Sequence, residues 1–132
     1  MSQKLDPRHA EELRSTLKAR ARQLREEIRQ TLRKSDDEQY TMIADQVRDL
    51  EDDSFADLMV DVNLAEIDRD LQELRLIDAA FLRLSDGTYG RCEECDAAIE
   101  LERLRAAPFA SRCFDCQSSF ERNHVQNIGH TL

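Results

Sequence analysis

Every cysteine of this 132-residue chain falls in one pattern: Cys92-x2-Cys95, seventeen residues, then Cys113-x2-Cys116. Two residues between cysteines let a tight turn aim both sulfurs at one ion, and a gap of about fifteen to twenty residues lets the chain return with a second such turn. The spacing predicts a four-thiolate zinc site built from Cys92, Cys95, Cys113 and Cys116, with disulfides or a redox pair as the competing reading. Four thiolates close a tetrahedral shell and leave no open position for water or substrate, so one Zn2+ per chain is expected to be structural. A lobe of about 45 residues has little apolar surface to bury, and metal binding supplies the stability that a small core lacks.

The rest of the chain reads as mainly α. Aromatic residues make up 5% and charged residues 36%, which disfavours a large globular core, and three glycines and two prolines leave long helices uninterrupted. Leu13, Leu17, Ala21, Leu24, Ile28 and Leu32 recur at steps of three and four. They predict one helix from about Pro7 to Lys34, with Asp6 as its N-cap and Pro7 at the first helical position. A second stripe runs through Phe55, Met59, Val62, Ile67, Leu71, Leu74 and Phe81, flanked by Leu58, Leu64, Ile77 and Leu84, and stops at Ser85-Asp86-Gly87. Two helices of about 27 to 30 residues with narrow apolar seams predict an antiparallel coiled-coil hairpin over 1–86. A bundle, or a coiled coil between chains, is the alternative, and a monomer is the expected state. The acidic segment Ser35–Ser54 is expected at the far end as a turn or short helix. Residues 87–132 are expected to form the zinc-finger lobe, ending in a helix that starts at the second cysteine pair and frays after Asn123.

Charge narrows the function. The net charge is −9. Residues 1–35 carry ten Lys or Arg against five acids, whereas residues 36–73 carry two against fourteen. Duplex DNA binding rests on neutralising phosphates, so sequence-specific DNA binding is not expected. Arg91, Arg103, Arg105 and Arg112 would suit a nucleic-acid-binding zinc module, but Glu93, Glu94, Asp96, Glu100, Glu102 and Asp115 share their lobe, and pairing of these arginines locally or with a protein partner is preferred. The segment 45–54 is the expected acidic tip, and residues 49–53 alone hold four carboxylates. Such a run is usually a solvated face; at the end of a hairpin it can also reach basic residues or a bound Mg2+. No nucleophile, base and oxyanion arrangement is recognisable, so no catalytic residue is assigned and no enzyme is expected. The amino terminus lacks an apolar targeting core and no stretch is apolar enough to span a membrane, which predicts a cytoplasmic chain.

The run Gly87-Thr88-Tyr89-Gly90-Arg91-Cys92-Glu93-Glu94-Cys95, with Ile99, Arg103-Leu104, Ala106-Ala107-Pro108 and Cys113-Phe114-Asp115-Cys116, resembles the zinc-finger signature of the bacterial DksA/TraR family. The resemblance implies a globular zinc lobe, a coiled coil with an acidic tip and a C-terminal helix. It further implies a regulator that enters the secondary channel of RNA polymerase and alters the lifetime of promoter open complexes. The family's tip motif, Asp-x-x-Asp-x-Ala, falls on Asp49 and Asp52, with Ser54 in place of the alanine. The basic positions that bind the alarmone ppGpp in well-known members fall on Leu76, Ala107 and Gln117, which implies weak or absent dependence on ppGpp. A transcript-cleavage accessory factor with a Mg-binding acidic tip is the alternative from another class.

Overall fold

The computed structural model describes residues 5–47, 59, 62 and 64–131, with side chains as far as residue 123. Among them the chain is mostly helical, with α1 at Pro7–Arg33, α2 at Glu38–Val47, α3 at Ala65–Asp86, α4 at Leu101–Ala106 and α5 at Phe114–Thr131. The only extended pairing among the described residues is an isolated antiparallel bridge between Arg91 and Ala98. No helix among them is long and apolar enough to cross a membrane. The chain divides into two compact units, Met1–Leu17 with Leu76–Leu132, and Lys18–Arg75.

Helix α1 starts where its cap chemistry dictates. The backbone N–H of Arg8 donates to Oδ1 of Asp6 at 2.8 Å, satisfying one of the amides that the first turn leaves open. Pro7 occupies the first helical position, where its missing N–H costs nothing. Leu13, Leu17, Leu24, Ile28 and Leu32 of the stripe drawn from the sequence are all buried at 1% exposure or less, while Ala21, its sixth member, is only partly buried.

The unit Lys18–Arg75 is an antiparallel helical hairpin with a short helix in its connection. Arg20 on α1 donates from two nitrogens to the carboxylate of Glu73 on α3. Seven residues further along α1, the carboxylate of Glu27 neighbours that of Asp70, three residues earlier on α3, so the two helices run in opposite directions. The buried side chains of this unit are Leu24, Ile28, Leu32, Ile67, Leu71 and Leu74, with Ile43, Ala44 and Val47 from α2 and with Met59 and Val62. Helix α2 is capped by Asp37, whose Oδ1 accepts from the backbone N–H of Gln39 at 2.9 Å. The acidic connection thus contains a short helix, on which Ile43, Ala44 and Val47 are buried, Tyr40 is partly buried and Met42 is exposed.

Partial burial and the neighbouring carboxylate of Glu27 raise the pKa of Asp70 above its ordinary value of 3.8, against the opposing pull of Arg20. A carboxyl group whose folded pKa is raised favours the fold below its unfolded pKa, and that contribution is lost as pH rises through the folded value. Asp70→Asn is therefore expected to raise the thermal midpoint at pH 7, with the gain shrinking towards pH 4. Melting curves across that range, followed by circular dichroism, measure it; a destabilised variant at pH 7 would show that the pairing with Arg20 dominates.

Two features of α3 differ from the sequence reading. The helix begins at Ala65 and is 22 residues long, not 27 to 30; Phe55 and Leu58, which opened the predicted stripe, lie outside the described residues. Ile77 and Ala80 are fully buried, whereas Phe81 is only partly so. From Leu76 onward α3 belongs to the unit that holds the cysteines, so a different set of neighbours decides which of its faces is covered.

The end of α3 follows the predicted stop. Gly87 has φ +83°, and the N–H of Thr88 donates to the carbonyl of Arg83 at 3.0 Å, the six-to-one bond of a Schellman motif. Asp86 reinforces the turn by accepting from both the backbone N–H and the hydroxyl of Thr88. A Cβ at Gly87 would meet nothing within 4 Å, so the cost of Gly87→Ala is conformational alone. A loss of about 1 to 2 kcal/mol in denaturant unfolding is expected, the ordinary penalty of left-handed backbone for a residue with a Cβ.

Candidate metal centre

In the unit Met1–Leu17 with Leu76–Leu132, a small hairpin presents the first cysteine pair. The N–H of Ile99 donates to the carbonyl of Gly90 at 2.8 Å and that of Cys92 to Ala97 at 2.7 Å, flanking the Arg91–Ala98 bridge. The N–H of Asp96 returns to the carbonyl of Cys92 at 2.9 Å, and Asp96 takes a left-handed φ of 66°, which aspartate tolerates. Its carboxylate pairs with Arg91 at 2.9 Å. The result is a tight turn that points Cys92 and Cys95 the same way.

The second pair is presented by the start of α5. Cys113 precedes the helix, Cys116 sits in its first turn, and the N–H of Cys116 points at the Cys113 sulfur at 3.5 Å. Partial positive charge at a helix N-terminus favours thiolate there. The N–H of Glu93 donates to the carbonyl of Ser111 at 2.9 Å, which holds the first turn against the segment leading to the second.

The four sulfurs lie within 4.8 Å of one another, and Cys95 and Cys113 are 3.8 Å apart. A zinc–sulfur bond of about 2.3 Å gives a regular tetrahedron an edge of about 3.8 Å, so the cage has the size of a zinc site. Its electrostatics suit a cation. Burial pushes the Cys92 thiol up, but backbone N–H groups of Cys113, Cys95 and Glu94 outweigh it and bring that thiol down to about 6. Cys116 moves the other way, pushed above its ordinary value chiefly by the side chain of Cys113. Sulfurs this close cannot all ionise without a positive ion among them. One Zn2+ fits this donor set, and a closed shell of four thiolates makes it structural.

Around the cage a small core forms from Tyr89, Cys92, Ile99, Leu104 and Ala110. Burial pushes the Tyr89 phenol up to about 12, and its hydroxyl donates to the carbonyl of Pro108 at 2.7 Å. Helix α4, absent from the sequence reading, supplies Leu104 at 0% exposure. Ala107-Pro108 after it was the available stop signal. The four arginines considered as nucleic-acid contacts are all engaged locally. Arg91 pairs with Asp96, Arg105 with Glu12 and Glu102, and Arg112 with Glu93 and Glu94, while Arg103 donates to the carbonyl of Arg112 at 2.9 Å. The proposed tip residues Asp49 and Asp52, and Ser54 beside them, lie outside the described residues.

Comparison with known proteins bears on the same segment. The family described as the prokaryotic dksA/traR C4-type zinc finger matches residues 87–122, which contain all four cysteines and the hairpin and helix that present them. Over a longer stretch, the chain is 28% identical over 116 residues to the Escherichia coli K12 protein named RNA polymerase-binding transcription factor DksA, covering 88% of this chain and 74% of that one. Residues 87–122 are a zinc finger of the DksA/TraR C4 type. General stress protein 16O of Bacillus subtilis is 40% identical over 65 residues, 49% of this chain and 39% of that protein. Among solved structures, the DnaK suppressor protein of Agrobacterium tumefaciens superposes with TM-score 0.55 at 28% identity, covering 83% of this chain and 91% of that one. The transcription factor DksA2 of Pseudomonas aeruginosa superposes with TM-score 0.60 over 91% of this chain and 88% of its own, and at 22% identity it speaks for the DksA/TraR fold alone.

Proposed function

We propose that this protein is a non-enzymatic transcription regulator that binds RNA polymerase through the secondary channel and alters the stability of promoter open complexes. The observation that carries the proposal is the continuity of the resemblance. It includes the zinc finger and extends over most of the chain to a relative named as an RNA polymerase-binding transcription factor. In this reading residues 1–86 form the hairpin, residues 87–132 the zinc-finger lobe, and Asp49 and Asp52 act at the tip near 45–54. The local engagement of the lobe arginines supports a protein partner over nucleic acid. The proposed site of action is the bacterial cytoplasm, and the proposed active species is a monomer.

The experiment is direct binding of the zinc-loaded chain to purified core RNA polymerase by gel filtration, with competition by a transcript-cleavage factor that occupies the secondary channel. Co-elution that the competitor abolishes is expected. Absence of co-elution would overturn the proposal, and co-elution unaffected by the competitor would move the binding site elsewhere. Stimulated cleavage of backtracked RNA would instead favour the cleavage-factor reading.

Weak or absent ppGpp dependence is part of the same proposal. Leu76 is half exposed and apolar, Ala107 carries no polar group, and the amide of Gln117 donates to Glu121 at 3.0 Å, so no cation stands at these positions to hold a phosphate. The effect of the protein on open complexes is expected to be the same with and without ppGpp in a purified transcription assay. Strong synergy that is lost on altering the zinc lobe would contradict it.

A further inference from the structure

We propose that Arg112 is a positioning residue of the zinc centre, neutralising the two glutamates inside the first cysteine turn so that the thiolate cage retains its metal. The sequence Cys92-Glu93-Glu94-Cys95 places two carboxylates between two thiolates. Two positive charges on zinc against four thiolates already leave the centre a net anion. Glu93 and Glu94, about half exposed in the turn between the two thiolates, add to that negative charge.

Arg112 is built into the place where this repulsion has to be offset. It immediately precedes Cys113, its side chain is 20% exposed, and one terminal nitrogen lies 3.0 Å from Glu93 Oε1. Its Nε lies 3.5 Å from Glu94 Oε1, an ion-pair distance, and is buried without a hydrogen-bond partner. One guanidinium therefore serves both acids of the first turn from the shoulder of the second. Two contacts fix it there. The guanidinium carbon sits 4.1 Å from the centroid of the Phe120 ring on α5, and the Arg112 carbonyl accepts from Nε of Arg103 on α4. Arg112 thus joins both cysteine turns and both lobe helices through its charge, its ring contact and its backbone. Groups that surround metal ligands commonly shift metal affinity by their electrostatics as well as by orientation.

Charge neutralisation and simple packing make different predictions, and zinc affinity of the full-length chain, measured by competition with a chromophoric chelator, separates them. Arg112→Gln is expected to weaken zinc binding by about tenfold, within the usual range for partners outside the ligand shell. Adding Glu93→Gln and Glu94→Gln to that variant is expected to restore the affinity, and Arg112→Lys to retain most of it. Unchanged affinity in R112Q overturns the proposal, as does a loss that the two neutral glutamines fail to recover, which would assign the effect to packing on Phe120. Should R112Q not fold with zinc present, E93Q/E94Q with Arg112 intact decides the matter. It is expected to bind zinc at least as tightly as the wild type, and weaker binding overturns the proposal.

Discussion

Stripping zinc from this protein, by chelation or by Cys92→Ala, is expected to unfold the lobe around the cysteines while α1 and α3 of the unit Lys18–Arg75 stay paired. The apparent binding free energy of structural zinc in small fingers is about 10 to 16 kcal/mol at neutral pH. That is comparable to the whole stability of about 5 to 15 kcal/mol typical of a folded domain. Little else holds the lobe: its extended pairing among the described residues is one bridge, and its buried side chains are few. Cys92 is itself 2% exposed and part of that core, so its loss removes both a ligand and packing. The check is hydrogen exchange with and without chelator. Fast exchange is expected for the amides of Cys92, Ile99 and Leu104, and continued protection for those of Ile28 and Leu71. Retained protection at Ile99 and Leu104 in the metal-free chain would show that the lobe stands without zinc.

The second large effect is expected at the tip. Replacing Asp49 and Asp52 together by Asn keeps size and hydrogen-bonding capacity while removing two negative charges. If the acidic tip acts electrostatically near the polymerase active centre, this variant binds the enzyme about as well as the wild type and loses its effect on promoter complexes. Binding and effect are measured on the same preparations. Loss of both together would make the aspartates contact residues rather than effectors, and an unchanged effect would remove them from the mechanism. Ser54→Ala, which restores the residue common at that place in the family, tests whether the hydroxyl tunes the same step.

How much of this was legible in the sequence depended on the range of the interactions involved. The start of α1 was readable because Asp6 and Pro7 carry their signal within one turn, and the stop at Gly87 because a left-handed residue at a helix end needs no tertiary partner. The metal site was readable because two short turns dictate the cysteine spacing, whatever surrounds them. Helix α4 was not, since six residues are too few to show a period. Burial of Leu104 and the bond from Arg103 to the Arg112 carbonyl hold it in place, and both are tertiary. Likewise, α5 continues to Thr131 where fraying after Asn123 was expected, because one glycine at 129 weakens a helix by only about 1 kcal/mol and need not end it. The change of buried face on α3, from Leu74 to Ile77 and Ala80, follows from which unit each half of the helix belongs to, and periodicity along one helix contains no such information. The role of Arg112 was hidden for a similar reason. The acids at 93 and 94 read from sequence as a general obstacle to phosphate binding, and only the folded lobe shows one guanidinium set against both.

Regulation of transcription by action on RNA polymerase would show first in the lifetime of a preformed promoter open complex. The lifetime is measured after a competitor challenge, with the zinc-loaded protein at saturating concentration and no ppGpp present. A changed lifetime is expected, reverting to the protein-free value with the Asp49→Asn/Asp52→Asn variant. A lifetime that the wild-type protein leaves untouched at every concentration would contradict such regulation.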